Sequence, residues 1–168
     1  DGLKVDMPQI IATTGWTTDE LIEAIEKEKP AKNFDLVSLL IGVNNQYRGY
    51  PIDTYVTEFN ELLDQSIRFA GGDLSKVFVV SIPNYGVTPF GKTKDEGKIT
   101  KEVAQYNALA KSACEQRGIP FVNITPGSQE AAKDPALVAE DGLHPSAKMY
   151  RQWVDQIHPV AKEILRRD

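Results

Sequence analysis

The chain has 168 residues, a length that suits one domain with a buried core and leaves little room for two. Its 24 acidic against 19 basic side chains give a formal net charge of −5, which argues against a nucleic-acid-binding protein, since such proteins normally carry a basic face. One cysteine excludes an internal disulfide framework and a cysteine metal cluster, and no apolar run approaches the roughly 20 residues of a membrane span. The composition predicts a single soluble domain without a metal or another cofactor.

Short apolar runs alternate with longer stretches of helical periodicity. The run at 9–13 predicts a first strand, and Thr17–Glu20 is a capping box that predicts a helix ending at Pro30. The apolar run at 34–41 predicts a strand buried on both faces, and a polar loop at 42–50 follows it.

The same alternation continues to the end of the chain. The remaining predicted elements are a helix at 55–67, a strand at 77–82, a long loop at 83–98, a helix at 99–117, a strand at 119–124, a short helix near 127–133, and a last helix after Ser146 that Pro159 is expected to bend. Such alternation predicts right-handed crossovers and a mostly parallel sheet with helices on both sides, in one α/β domain that covers residues 1–168.

Ligands of open parallel sheets bind beyond the carboxyl ends of the strands. Four segments are therefore expected to meet at one edge of the sheet, namely 13–16, 42–49, 83–86 and, before the last helix, 141–146.

Asp141 and His144 are the first candidate functional pair. A carboxylate that accepts a hydrogen bond from imidazole Nδ1–H fixes the tautomer and leaves Nε2 as a base. Gly142 permits an unusual backbone conformation between them, and Pro145 stiffens the exit. The spacing is also compatible with an aspartate that caps the next helix and a histidine on the surface. The second histidine, His158, precedes a proline on a predicted helix and is interpreted as structural.

Asn44 and Gly15 are candidates for binding negative charge. An asparagine amide at the end of a buried strand can donate to an oxyanion, and one such donor contributes roughly 10²–10³ in rate. From the residues alone, Asn44 is better explained as closing a turn together with Asn45. Gly15 either presents a bare backbone N–H or lets the chain leave the strand.

These segments resemble a known family. Gly42–Asn45 resembles the third conserved block of the SGNH (GDSL-type) hydrolases, Asp141–Ser146 resembles their fifth block, and Gly15 matches their second. Segments 81–89 and 124–126 also fall where this family has them, so the resemblance runs through the whole chain. It implies a flavodoxin-like three-layer α/β/α fold and a serine esterase or acylhydrolase.

The resemblance also implies roles for individual residues. His144 would be the general base, Asp141 the carboxylate that orients it, and Asn44 with the Gly15 N–H the oxyanion donors. Asn45 stands at a position that is often Asp in the family, and we expect this difference to alter local turn bonding more than chemistry.

The family's Gly-Asp-Ser block, which supplies the nucleophile, should precede Gly15, where this chain has no serine. Of the seven serines in the chain, six are set aside for their predicted positions, and Ser81, near a strand end, is the only remaining alternative. Cys114 is interpreted as a small buried hydrophobe. We therefore expect an N-terminally incomplete domain that lacks roughly 30–50 residues, the length of a βα unit with its loops. The missing strand would lie between 9–13 and 34–41. It could be absent from this chain, cleaved or supplied by another chain, and this chain alone could be inactive.

The expected partner is a small-molecule ester, with no nucleic acid and no membrane span. The rim of the substrate site would come from Tyr47, Arg48, Tyr85 and Phe90, although packing within the loops explains these side chains equally well. The alternative function is a non-catalytic flavodoxin-like binding or interaction domain. The compartment cannot be read from this sequence, because a targeting signal would lie upstream.

Overall fold

The computed structural model describes residues 5–166, in which seven α-helices surround a parallel sheet of three strands. The elements in chain order are α1 (Thr18–Glu28), β1 (Val37–Leu39), α2 (Val43–Arg48), α3 (Ile52–Phe69), β2 (Val77–Val80), α4 (Pro89–Lys92), α5 (Glu96–Arg117), β3 (Phe121–Val122), α6 (Thr125–Gln129) and α7 (Ala147–Ile164). Short 3₁₀ turns lie at Leu74–Lys76, Tyr85–Val87, Glu130–Ala132 and Pro135–Leu137.

The sheet has the order β1-β2-β3, and both pairs are parallel. Val37 pairs with Val77, and Val79 pairs with Phe121. All four residues of β2 are buried, as expected for the middle strand of a sheet that is covered on both faces. The predicted parallel α/β architecture is confirmed.

The alternation of side chains along β2 divides the core into two layers. Val77 and Val79 pack into a cluster with residues of α1, α3 and α5. Phe78 and Val80 point to the other face and pack with residues that include Met149 on α7. Helices therefore cover the sheet on both sides, and the carboxyl ends of its strands stay open to the loops that follow them.

The capping box at the start of α1 is present. The backbone N–H of Thr17 donates to Oε2 of Glu20 at 2.8 Å, which satisfies one of the groups left unpaired at a helix terminus. At the other end of the chain, Pro159 lies inside α7, which continues to Ile164.

Three sequence predictions were wrong. Residues 9–13 pair with no strand among the described residues, and the Ile10 side chain is 77% exposed. An apolar segment forms a strand only where a neighbouring strand provides hydrogen-bond partners for its backbone. The segment at 42–50 contains the helix α2 instead of a loop. Within 83–98, a 3₁₀ turn, α4 and the first turn of α5 replace most of the expected loop.

No helix in the described part of the chain is long and apolar enough to cross a membrane.

Candidate active site

A loop between the last 3₁₀ turn and α7 carries Asp141 and His144. The backbone closes it as a narrow hairpin, in which the N–H of Ala139 donates to the carbonyl of His144 at 2.8 Å. Gly142 has φ +73°, a left-handed conformation that glycine adopts without strain. Its carbonyl accepts from the N–H of Phe90 at 2.9 Å, so the loop is tied to the segment that follows β2.

Asp141 and His144 are in direct contact, with 2.5 Å between Oδ2 of the carboxylate and Nδ1 of the imidazole. The other carboxylate oxygen accepts from the backbone N–H groups of Leu143 and His144, both at 2.9 Å. These two backbone hydrogen bonds, followed by the His144 side chain, lower the pKa of Asp141 to about 2. Asp141 is therefore a fixed anion that orients the ring and leaves Nε2 available to a substrate.

Asn44 lies in the first turn of α2, directly after β1. The helix begins at Gly42, whose φ of +123° turns the chain sharply out of the strand. The Asn44 amide donates to the carbonyl of Trp16 at 3.0 Å, which holds it against the Gly15 segment. Gly15 itself has φ +92°, and its carbonyl accepts from the Arg48 guanidinium at 2.6 Å. The Asn44 amide therefore lies next to the segment that contains Gly15.

Asn45 has a structural environment that differs from that of Asn44. Its side chain is fully buried, and its Oδ1 accepts from the backbone N–H of Thr18 at 3.1 Å while its Nδ2 donates to the Thr18 hydroxyl at 2.6 Å. Asn45 thereby joins the start of α1 to α2.

A groove of about 750 Å³ lies between α2, Tyr50 and the N-terminal half of α5. Of the predicted rim residues, Tyr47, Arg48 and Tyr85 line it. Phe90 contacts Tyr47 from outside, with 6.1 Å between the ring centroids.

Tyr85 connects this groove with the predicted catalytic pair. It also lines a cavity of about 30 Å³ that includes His144, Leu143 and Met149. The groove and the cavity beside His144 therefore share Tyr85 as a common wall.

None of the seven serines of the chain makes a hydrogen bond with His144, and all seven lie in the described region. Ser81 is buried, accepts from the backbone N–H of Ile124 at 2.9 Å and lies within hydrogen-bond distance of the Thr125 hydroxyl. Ser146 donates to the carbonyl of Ala136 and accepts from Met149 at the start of α7. Cys114 is fully buried, and burial raises the pKa of its thiol to about 11.

Sequence reasoning missed the polar side chains of the groove. Gln46 donates from Nε2 to Oε2 of Glu102 at 2.8 Å, across 56 positions of sequence. Tyr106 donates to the carbonyl of Tyr50 at 3.3 Å over the same separation. No pattern pointed to Gln46, since its segment was interpreted as a loop. The helical spacing of Glu102 and Tyr106 was visible within α5, but it did not show what they face.

Several solved structures share this fold. An acetylxylan esterase from Geobacillus stearothermophilus has 21% sequence identity and a TM-score of 0.64, with 88% of this chain and 68% of that chain covered. A protein assigned as a GDSL-like lipase from Parabacteroides merdae has 22% identity and a TM-score of 0.63, with 86% and 69% covered. Other structures of the Geobacillus esterase are catalytic mutants in which Ser, Asp or His is replaced by Ala, and the numbering of that Asp and His differs by three.

Sequence comparison gives a further relative and a family. The secreted effector protein SseJ of Salmonella typhimurium is 31% identical over 83 residues, or 49% of this chain, and the match covers 20% of SseJ. The chain thus matches about a fifth of that relative's length. The family model of the GDSL-like lipases and acylhydrolases matches residues 2–152, and the chain therefore belongs to that family.

Proposed function

We propose that this protein is a serine carboxylic-ester hydrolase in which Asp141 and His144 form two members of a catalytic triad. The observation that carries the proposal is the 2.5 Å contact between Asp141 Oδ2 and His144 Nδ1. Membership of an acylhydrolase family supports it. Catalytic mutants of the Geobacillus esterase replace an Asp and a His that are three positions apart. Asp141 and His144 have the same spacing, which also supports the proposal.

The proposed reaction has two acyl-transfer steps. The serine oxygen attacks the acyl carbon while its proton moves to His144 Nε2, and the oxyanion forms next to the Asn44 amide and the Gly15 N–H. His144 then gives the proton to the leaving alkoxide, and the acyl group stays on serine. A water molecule repeats the sequence and releases the acid, with Asp141 ionised throughout.

We assign the nucleophile to a serine upstream of Asp1. None of the seven serines of this chain makes a hydrogen bond with His144. Ser81, the alternative kept on sequence grounds, is buried, and its hydroxyl accepts from the backbone N–H of Thr125 at the start of α6. One edge of β1 has no strand beside it among the described residues, which leaves room for a strand that carries the serine.

The test is hydrolysis of p-nitrophenyl acetate by the full-length protein. We expect His144→Ala to lower kcat by about 10³-fold or more, because the general base is lost. His158→Ala is the matched control, since His158 is the other histidine of the chain and is exposed on α7. Equal hydrolysis by His144→Ala and the wild type would sink the assignment of His144, and absence of hydrolysis by the wild type would favour a non-catalytic binding domain.

A fluorophosphonate probe locates the nucleophile in the same preparation. Peptide mass spectrometry should find the label on a serine before Asp1, and labelling should weaken in His144→Ala. A label on any of the seven serines between 38 and 146 would contradict the assignment.

A further inference from the structure

The groove between α2 and α5 contains a buried hydrogen-bond acceptor without a partner. Gln46 is 7% exposed, and its Nε2 donates to Glu102. Its Oε1 is buried and accepts no hydrogen bond, although Gln46 lines the groove. An orphaned buried carbonyl costs about 1–3 kcal/mol, so this oxygen favours a ligand that donates a hydrogen bond.

The charged groups of the groove do not favour an anion. Arg48 is engaged by Glu20 and by the Gly15 carbonyl, and Lys98 lies 3.8 Å from Glu102. Lys94 lies over the ring of Phe90, 5.5 Å from its centroid.

An alkyl chain also fits poorly here. It would leave the Gln46 oxygen unpaired and would cover Glu102 and Asp95, which both line the groove. A polyhydroxylated molecule offers donors and acceptors at once and can satisfy these groups.

An aromatic surface lies next to this acceptor. Tyr47 is 53% exposed, and its ring is fixed between Tyr85 and Phe90, with 6.1 Å between centroids in both pairs. The C–H face of a sugar ring can pack on such an aromatic side chain while the hydroxyls of the sugar reach polar neighbours. A volume of about 750 Å³ lies within the usual range for small-ligand pockets.

We infer that this groove binds the neutral polyhydroxylated alcohol portion of the substrate, a sugar ester, with Gln46 Oε1 accepting from a sugar hydroxyl. This inference rests on the proposed esterase activity and deepens it by naming the substrate class. Tyr85 lines both the groove and the cavity beside His144, so a sugar in the groove would present an acylated hydroxyl towards the catalytic pair.

The kinetic test compares acetylated xylobiose with p-nitrophenyl acetate in the full-length protein. Gln46→Leu removes the acceptor, and we expect the ratio of kcat/KM for the sugar ester to that for the aryl ester to fall about tenfold. Gln65→Leu is the matched control and should leave the ratio unchanged. Gln65 is also buried, its Oε1 is also unpaired and its Nε2 also donates to a glutamate, but it lies on α3 away from the groove.

A binding measurement separates this inference from the proposed function. Unacylated xylobiose should bind the His144→Ala variant saturably by calorimetry. Adding Tyr47→Ala, which removes the exposed ring, should weaken that binding. Absence of saturable binding, or equal ratios in Gln46→Leu and Gln65→Leu, would overturn the inference. Sugar binding without ester hydrolysis would overturn the proposed function alone.

Discussion

The Asp141 carboxylate accepts two backbone hydrogen bonds in addition to its contact with His144. Backbone donors are fixed by the loop, so the orientation of the carboxylate depends on the hairpin and not on the histidine. This arrangement explains why the backbone contributes most to lowering the pKa of Asp141.

We predict that the pKa of Asp141 lies near 2 by carbon NMR and stays well below its usual range in His144→Ala, where both backbone donors persist. A carboxyl whose folded pKa lies below its unfolded value of about 3.9 stabilises the fold above that pH. The contribution is lost as the pH falls from about 4 through about 2.

Unfolding experiments on Asp141→Asn check whether ionisation of Asp141 stabilises the fold. The wild type should be the more stable protein at pH 6, and the difference in unfolding free energy should shrink as the pH falls towards 2. A difference that stays constant with pH would show that ionisation of Asp141 does not contribute.

Substitution of Asn44 is predicted to affect activity, whereas substitution of Asn45 is predicted to affect stability. Asn44→Ala should lower kcat by about 10²–10³ and leave the unfolding free energy nearly unchanged, because its amide makes one hydrogen bond, to the Trp16 carbonyl. Asn45→Ala should lower the free energy of unfolding by about 1–3 kcal/mol, since the backbone N–H of Thr18 loses its acceptor while the Thr18 hydroxyl keeps its bond to Glu58. Denaturant titration and ester hydrolysis on both variants check this pair, and equal effects on both quantities would contradict it.

The elements differ in how well the sequence predicts them. The three strands follow from buried apolar runs, and α1 follows from its capping box and apolar stripe, because those signals are local. The six residues of α2 are too few to show a periodicity, and their polar composition resembles a loop. Their conformation depends on Gly42 and on the contact of Asn45 with Thr18, and only the folded chain shows that contact.

Gly42 should be the most sensitive position at the start of α2. A Cβ there would lie 2.6 Å from the ring of Tyr55, which is 1% exposed and cannot move away, and φ is +123°. We expect Gly42→Ala to cost about 2–4 kcal/mol from backbone strain and steric overlap together.

Gly49→Ala is the control for backbone strain alone. Gly49 ends α2 with φ +70°, and a Cβ there would meet nothing within 4 Å. The Gly49→Ala substitution should lower the free energy of unfolding by about 1–2 kcal/mol. Equal unfolding free energies of the two variants would show that Tyr55 does not restrict the site.

At the scale of the whole molecule, the layers of the fold could be predicted, whereas the contacts between distant segments could not. Alternation of strands and helices predicted the parallel sheet, and the ends of the strands led to the further prediction that Asp141 and Asn44 share one edge of it. The groove forms because α2 packs against α5, where Gln46 contacts Glu102 across 56 positions of sequence. No local sequence pattern predicts a contact over that separation.

The free edge of β1 should control association of the 168-residue chain. Leu40, which follows β1 directly, is 43% exposed, and no strand among the described residues pairs with the outer edge of β1. Unpaired edges with apolar neighbours promote pairing between chains, and a charged side chain opposes it. Leu40→Lys should therefore lower the mean mass measured by light scattering at a fixed protein concentration. The control is Val154→Lys, which changes a similarly exposed apolar residue (51%) on α7, and its mean mass should match that of the wild type. Equal mean masses for the two variants would exclude the edge of β1 as the site of association.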